Sequence, residues 1–228
     1  MRHFKILIFA AFSLLMAGIP ANSSAGNDSN SNNQHNKIKV AVSIYNGALI
    51  LDYGIEAEML LAADFMRRFN VYTVGRDSMV TLSIVVTFSP DYSIADAPAP
   101  DVIIIPGGPR WKQEAEEKEI IEFLRKSHED GAVLYSICTG SLLLAKADLL
   151  EKRKATTNHQ ALQVLKKLSP STKVIEEKDY VDDGDIITTA GAGTAIDATL
   201  HLIERMADST ISMDMSRRYL NYRYQYTQ

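Results

Sequence analysis

A chain of 228 residues can build one domain around a sizeable core but not two full ones. Its hydrophobic share of 46% and charged share of 23% are those of an ordinary globular protein. A net charge of −4, with Lys and Arg scattered along the sequence, excludes a general attraction to nucleic acid or acidic membranes and leaves a small molecule or a protein as the expected partner.

The first residues read as a targeting segment. Arg2, His3 and Lys5 form a basic start, and an apolar run from Ile6 to Ile19 follows. That run is shorter than the ~20 residues a bilayer-spanning helix needs. With Ser23 and Ala25 as small residues before a cut, residues 1–25 are expected to be a signal peptide, with no stable membrane anchor after cleavage. The chain is therefore expected to be exported, to a periplasm or outside the cell. Residues 26–36 (GNDSNSNNQHN) contain no aliphatic or aromatic side chain and read as a disordered linker. Residues 37–228 are then the domain.

Within it, apolar strands alternate with helical patterns. Lys39 to Tyr45 predicts a strand, and Ile55 to Arg68 a helix with Ile55, Met59, Ala63 and Met66 on one face. Asn70 to Gly75 and Val80 to Phe88 predict strands, and Val102 to Ile105 a short one covered on both faces. A charged helix is expected from Gln113 to Glu129, a buried strand from Ala132 to Ile137, and an apolar helix from Thr139 to Leu150. Further strands are expected at Lys154 to Thr157, Val174 to Val181 and Ile186 to Thr189, and a last helix from Gly193 to about Met206. Asp182-Asp-Gly-Asp185 fits a hairpin turn better than a calcium loop, because the other ligand positions are missing. Such alternation predicts an α/β fold, a three-layer sandwich with a mainly parallel sheet flanked by helices.

Sites in open sheets of this class form at the carboxyl ends of the strands. Two such ends are Pro106-Gly-Gly-Pro109 and Ser136-Ile-Cys-Thr-Gly-Ser141. Cys138 is the only cysteine, so it makes no internal disulfide, and an exported lone thiol is a liability unless buried or useful. A free cysteine is most often just a small buried apolar residue. Here it falls between a strand and a helix, the position of a nucleophile elbow, where the helix N-terminus favours thiolate over thiol. The Thr139 N–H and the main chain of Gly107-Gly108 are then placed to form an oxyanion hole.

The run SICTGSLLLAKADLLEKRKATT resembles the nucleophile segment of the ThiJ/PfpI family, above all its isonitrile hydratase-like branch and the amidase-like sensor domains of AraC-type regulators. IIIPGGP resembles that family's oxyanion strand, LDYGIEAEML its first helix and ITTAGAGTAIDATLHLIE its last core segment, so the resemblance covers about residues 38 to 226. It implies a flavodoxin-like fold, a homodimer, Cys138 as nucleophile and Asp52 as its acidic partner. Gly108 and Thr139 are implied as oxyanion donors, with Gly107 nearby. An Asp at position 52 points to the hydratase branch, since protease, glyoxalase and deglycase-like relatives usually carry Glu.

One position departs from much of the family. Thr156-Thr157 is followed by Asn158, with His159 one step later, which argues against a Cys–His dyad and makes Asn158 a pocket residue. No His and Glu two apart follow Cys138, which argues against glutaminase activity. His128, His159 and His201 have no metal-ligand spacing, so neither a metal nor a cofactor is expected. The aromatic tail from Tyr219 to Tyr226 is read as packing and not as a base-stacking surface. The leading expectation is a cysteine-dependent hydratase acting on a small electrophile. A non-catalytic ligand-binding or stress-response domain, or a glyoxalase or deglycase-like activity, stands beside it.

Overall fold

The computed structural model describes residues 37–63 and 67–219. The expected signal peptide and linker, Met66 and the tail beyond Tyr219 lie outside the described residues. In chain order the elements are β1 (Ile38–Ser43), α1 (Leu51–Ala62), β2 (Phe69–Gly75), β3 (Val80–Leu82), β4 (Val86–Phe88), β5 (Tyr92–Ser93) and β6 (Val102–Ile105). There follow α2 (Trp111–Glu114), α3 (Lys118–Glu129), β7 (Val133–Ser136), α4 (Ser141–Lys146), β8 (Lys154–Ala155), α5 (Leu162–Leu168) and β9 (Lys173–Val174). The last are β10 (Tyr180–Asp182), β11 (Ile186–Thr189), α6 (Ala192–Met206) and α7 (Ser209–Asp214).

Seven strands form the central sheet in the order β10-β11-β7-β6-β1-β2-β5. All pairings in it are parallel except β10 with β11, which closes one edge antiparallel. The wholly apolar run at β6 is explained by its central place, because both of its faces are covered. Val102 and Ile104 pack into the cluster shared with α1 and α6, while Ile103 and Ile105 pack into the one shared with α3, α4 and α5. The three-layer arrangement is thus the one expected.

Several elements differ from expectation. Val80 to Phe88 is a hairpin and not one strand: Ser83 and Ile84 both have positive φ, and the Val85 N–H donates to the Leu82 carbonyl. Two successive left-handed residues make the tight turn that suits a two-stranded hairpin, a conformation that a β-branched sequence does not advertise. The segment expected as one strand from Val174 to Val181 divides into the ends β9 and β10, which belong to different sheets. The charged helix is broken between α2 and α3 at Ala115–Glu117. The first helix begins at Leu51, ahead of the expected Ile55, which brings Asp52 into its first turn.

The Asp182–Asp185 turn is a hairpin turn, with Gly184 at φ +96° and its N–H donating to Asp182 Oδ1 at 2.9 Å. It is clasped from both faces of the sheet. His201 and Arg205 of α6 meet Asp182 at 2.6 and 2.7 Å, while His128 of α3 meets Asp185 at 2.6 Å and Arg153 also pairs with Asp185.

Candidate active site

Four strand-end segments meet at one point. β7 runs through Ser136 and Ile137 into Cys138, whose φ of +55° puts a non-glycine residue in the left-handed region. That conformation costs about 1 kcal/mol or more, so the bonds around Cys138 must hold it there. A tight 3₁₀ turn over Cys138–Gly140 leads into α4, so the nucleophile sits on a strand-to-helix elbow as expected.

The neighbouring end of β6 supplies Gly107 and Gly108. A Cβ at Gly107 would lie 2.7 Å from the Thr139 nitrogen and 2.8 Å from the Cys138 Cβ, so only glycine allows the two strand ends to approach this closely. A Cβ at Gly108 would meet the Gly47 carbonyl at 2.2 Å, which locks this loop against the one that precedes α1.

Asp52, buried at the start of α1, accepts the Gly107 N–H on Oδ2 at 2.9 Å. Burial raises its pKa to about 6, against the pull of that hydrogen bond. Cys138 is part-buried. Burial pushes its thiol up, and the Asp52 charge adds to that; the Thr139 N–H and the side chains of Asn158 and Thr139 act in the other direction. The expectation that the helix N-terminus makes thiolate the favoured form is therefore corrected. The helical turn is short, while a part-buried sulfur near a carboxylate has two reasons to keep its proton.

The oxyanion donors also need correction in detail. The Gly107 N–H is used by Asp52, and the Gly108 N–H donates to Thr139 Oγ1 at 2.9 Å. Of these three amides, the Thr139 N–H is the one that favours the Cys138 thiolate. Asn158 is brought to the same place. Its Oδ1 caps the next turn by accepting the Gln160 N–H at 3.0 Å, which leaves its NH₂ group as the part of the side chain that favours the Cys138 thiolate. His159 is exposed.

Sequence reasoning passed over several residues here. Tyr45 donates its hydroxyl to the Pro106 carbonyl at 3.3 Å, and burial, then the charges of Glu114, Asp52 and Cys138, hold its pKa well above the usual phenol range. Thr157 Oγ1 donates to the Cys138 carbonyl at 2.9 Å and Ser141 Oγ to the same oxygen at 3.3 Å. Glu56, one helical turn after Asp52, is fully buried, and neither of its carboxyl oxygens has a hydrogen-bond partner among the described residues. Burial first, and then the Asp52 charge, raise its pKa to about 8. The one available signal for Glu56 was an acid at i+4 from Asp52, on the same helix face.

This arrangement, a thiol near a buried carboxylate with one backbone amide and one side-chain amide, can add a nucleophile to a small electrophile and move a proton. Comparisons with known proteins place the chain among relatives of the same fold. The profile of the DJ-1/PfpI family matches residues 39–205. The chain is 34% identical over 139 residues to an isonitrile hydratase of Pseudomonas putida, covering 60% of this chain and 59% of that enzyme's length. It is 33% identical over 101 residues to the transcriptional regulator CdhR of Pseudomonas aeruginosa, covering 44% of this chain and 30% of the regulator. Among solved structures, a ThiJ/PfpI family protein from Pseudomonas syringae superposes with a TM-score of 0.74 at 22% identity, over 91% of this chain and 84% of that one.

Proposed function

The chain belongs to the DJ-1/PfpI family, and we propose that it is a cysteine-dependent hydratase of the isonitrile hydratase type, acting on a small electrophilic carbon. The observation that carries this reading is the pairing of the Cys138 thiol with Asp52, a buried carboxyl anchored to the Gly107 N–H.

With its pKa at about 6, Asp52 is mainly a carboxylate at neutral pH while the thiol keeps its proton. The pair therefore starts as acid sulfur and basic carboxylate. Sγ attacks the terminal carbon of an isonitrile R–N≡C as Asp52 takes the thiol proton. A C–S bond forms, and Asp52 returns that proton to the same carbon, giving the thioimidate Cys–S–CH=N–R. Water then adds to this carbon, one of its protons passing to nitrogen, and the Thr139 N–H steadies the oxygen as negative charge gathers on it. The C–S bond breaks, the second water proton restores the thiol through Asp52, and a formamide R–NH–CHO leaves. Asn158 favours the charged sulfur through its NH₂ group but transfers no proton, so Asp52 does the proton transfer that a histidine would do in a Cys–His dyad.

The test is turnover of an alkyl isonitrile by the protein lacking residues 1–25, followed by the formyl proton resonance of the product. Formamide should appear with the wild type and vanish with Cys138→Ala and Asp52→Asn. Undiminished turnover by Cys138→Ala would remove the mechanism.

A second reading is supported by the raised thiol pKa together with the likeness to a transcriptional regulator: a ligand-binding domain that performs no chemistry. It predicts saturable binding that survives Cys138→Ala. We also propose, from the N-terminal sequence and the family, that the chain is exported and pairs with a second copy. Fractionation of cells and sedimentation of the purified protein test these two statements.

A further inference from the structure

The proposed oxyanion donor is the N–H of Thr139, and that N–H belongs to the same planar peptide group as the carbonyl of Cys138. The carbonyl is held by two buried hydroxyls. Thr157 Oγ1 donates to it at 2.9 Å and Ser141 Oγ at 3.3 Å, with Thr157 1% exposed and Ser141 fully enclosed.

Because C=O and N–H point in opposite directions across a trans peptide, gripping the oxygen on the core side turns the hydrogen toward the sulfur. Hydrogen bonds to a carbonyl also polarise its peptide, which makes the N–H a stronger donor. The grip has work to do at this position, since Cys138 at φ +55° has a more relaxed backbone conformation available to it. Thr157 is itself well placed: the N–H of its neighbour Thr156 donates to Thr188 Oγ1 on β11 at 2.8 Å, which ties this segment to the sheet beside β7.

We propose that Thr157 and Ser141 are positioning residues, a hydroxyl clamp that aims and polarises the Cys138–Thr139 peptide so that its N–H faces the reacting centre. The inference rests on the reading of the Thr139 N–H as the oxyanion donor. The clamp touches no substrate and acts through the peptide it grips.

The experiment uses Thr157→Val, which keeps the shape and removes the hydroxyl, Thr157→Ser, which restores it, and Ser141→Ala. Three quantities are read: the midpoint of Cys138 alkylation against pH, the chemical shift of the Thr139 amide proton, and kcat apart from KM on the isonitrile. Loss of the clamp should raise the alkylation midpoint, shift the Thr139 amide upfield, and lower kcat about tenfold with KM held, the scale of weakening an oxyanion donor. Thr157→Ser should return all three, and Ser141→Ala should move them less, as its longer bond implies. A Thr157→Val protein that is folded and retains the wild-type midpoint and amide shift overturns the clamp. If Thr157→Val does not fold, an unmoved Thr139 amide in Ser141→Ala overturns it. The midpoint and the amide shift need no turnover. Absence of isonitrile hydration therefore removes the hydratase reading alone, and normal hydration by both clamp variants removes the clamp alone.

Discussion

Thr139 and Gly108 hold each other through one hydroxyl, which accepts the Gly108 N–H at 2.9 Å and donates to the Gly108 carbonyl at 3.3 Å. This bond stitches the end of β6 to the elbow after β7 and occupies an amide that would otherwise face the site. Thr139→Val should cost about 1–3 kcal/mol, the scale for leaving part-buried backbone groups unpaired. It should also raise the Cys138 midpoint, because the hydroxyl's single proton can turn from that carbonyl to a thiolate and favour it. Denaturant titration and alkylation kinetics read the two effects, and Thr139→Ser should show neither. A Val variant as stable as the wild type would leave the stitch without energetic weight.

Gly107 admits no side chain. With a Cβ placed 2.7 Å from the Thr139 nitrogen, Gly107→Ala has to push the two strand ends apart. The expected loss is about 3 kcal/mol, at the upper end for overpacking, together with loss of the hydrogen bond from the 107 amide to Asp52. The melting temperature and the pH profile of thiol alkylation should both change. An unchanged profile in a folded Gly107→Ala protein would mean that the glycine serves only to make room.

The thiol itself should titrate above the ~8.5 of a free cysteine. Asp52→Asn removes a negative charge from beside the sulfur, so the alkylation midpoint should fall, while turnover falls with it because the proton acceptor is gone. Asn158→Ala removes a donor to the sulfur, so its midpoint should rise. These opposite signs, with activity lost in the variant whose thiolate is easiest to form, distinguish a thiol–carboxylate pair from a pre-formed thiolate. A midpoint that stays put in Asp52→Asn would show that the two groups do not interact.

Glu56 makes stability depend on pH in a defined direction. Its carboxyl has a pKa of about 8 when folded and about 4.3 when unfolded, so between those values the folded state holds the extra proton. Stability contributed by that proton is complete below the unfolded value and is lost as pH rises toward 8. Asp52 at about 6 and Glu114 at about 7 slope the same way over narrower windows. Glu56→Gln should flatten the decline, and Glu56→Leu should gain several kcal/mol at pH 8 by filling the site with an apolar side chain. Urea unfolding at pH 5 and pH 8 measures it. Equal slopes in the wild type and Glu56→Gln would place the Glu56 pKa near the ordinary carboxylate range.

Much of this fold is legible in the residues. Val102–Ile105 reads as a doubly covered strand because periodicity and burial follow directly from composition, and Gly107, Gly108 and Gly140 punctuate the turns where backbones must come close. Cys138 and Asp52 could be named, the second through family resemblance only, since nothing local separates it from a helix-cap aspartate. The state of the thiol was not legible: it depends on desolvation and on a charge from α1, a segment more than eighty positions earlier in the sequence. Thr157 and Ser141 escaped for a similar reason, because a hydroxyl announces neither its partner nor which side of a peptide it grips. The hairpin at Ser83–Ile84 escaped because local β propensity favours a continuous strand there, and only tertiary bonds such as that from the Ser83 N–H to the Ala48 carbonyl pay for the left-handed turn.

The parallel order of β7, β6 and β1 has a kinetic consequence. Asp52, Gly107, Thr139 and Asn158 each follow a different strand, so no stretch of chain holds two of the four segments until long crossovers have closed. Contacts of such separation form late and slowly during refolding. Cys138 should accordingly behave as a plain, exposed thiol in any collapsed intermediate and become shifted only when the central strands are aligned. Quenched alkylation during refolding would then time the completion of the sheet from its middle, using a residue the chain already carries.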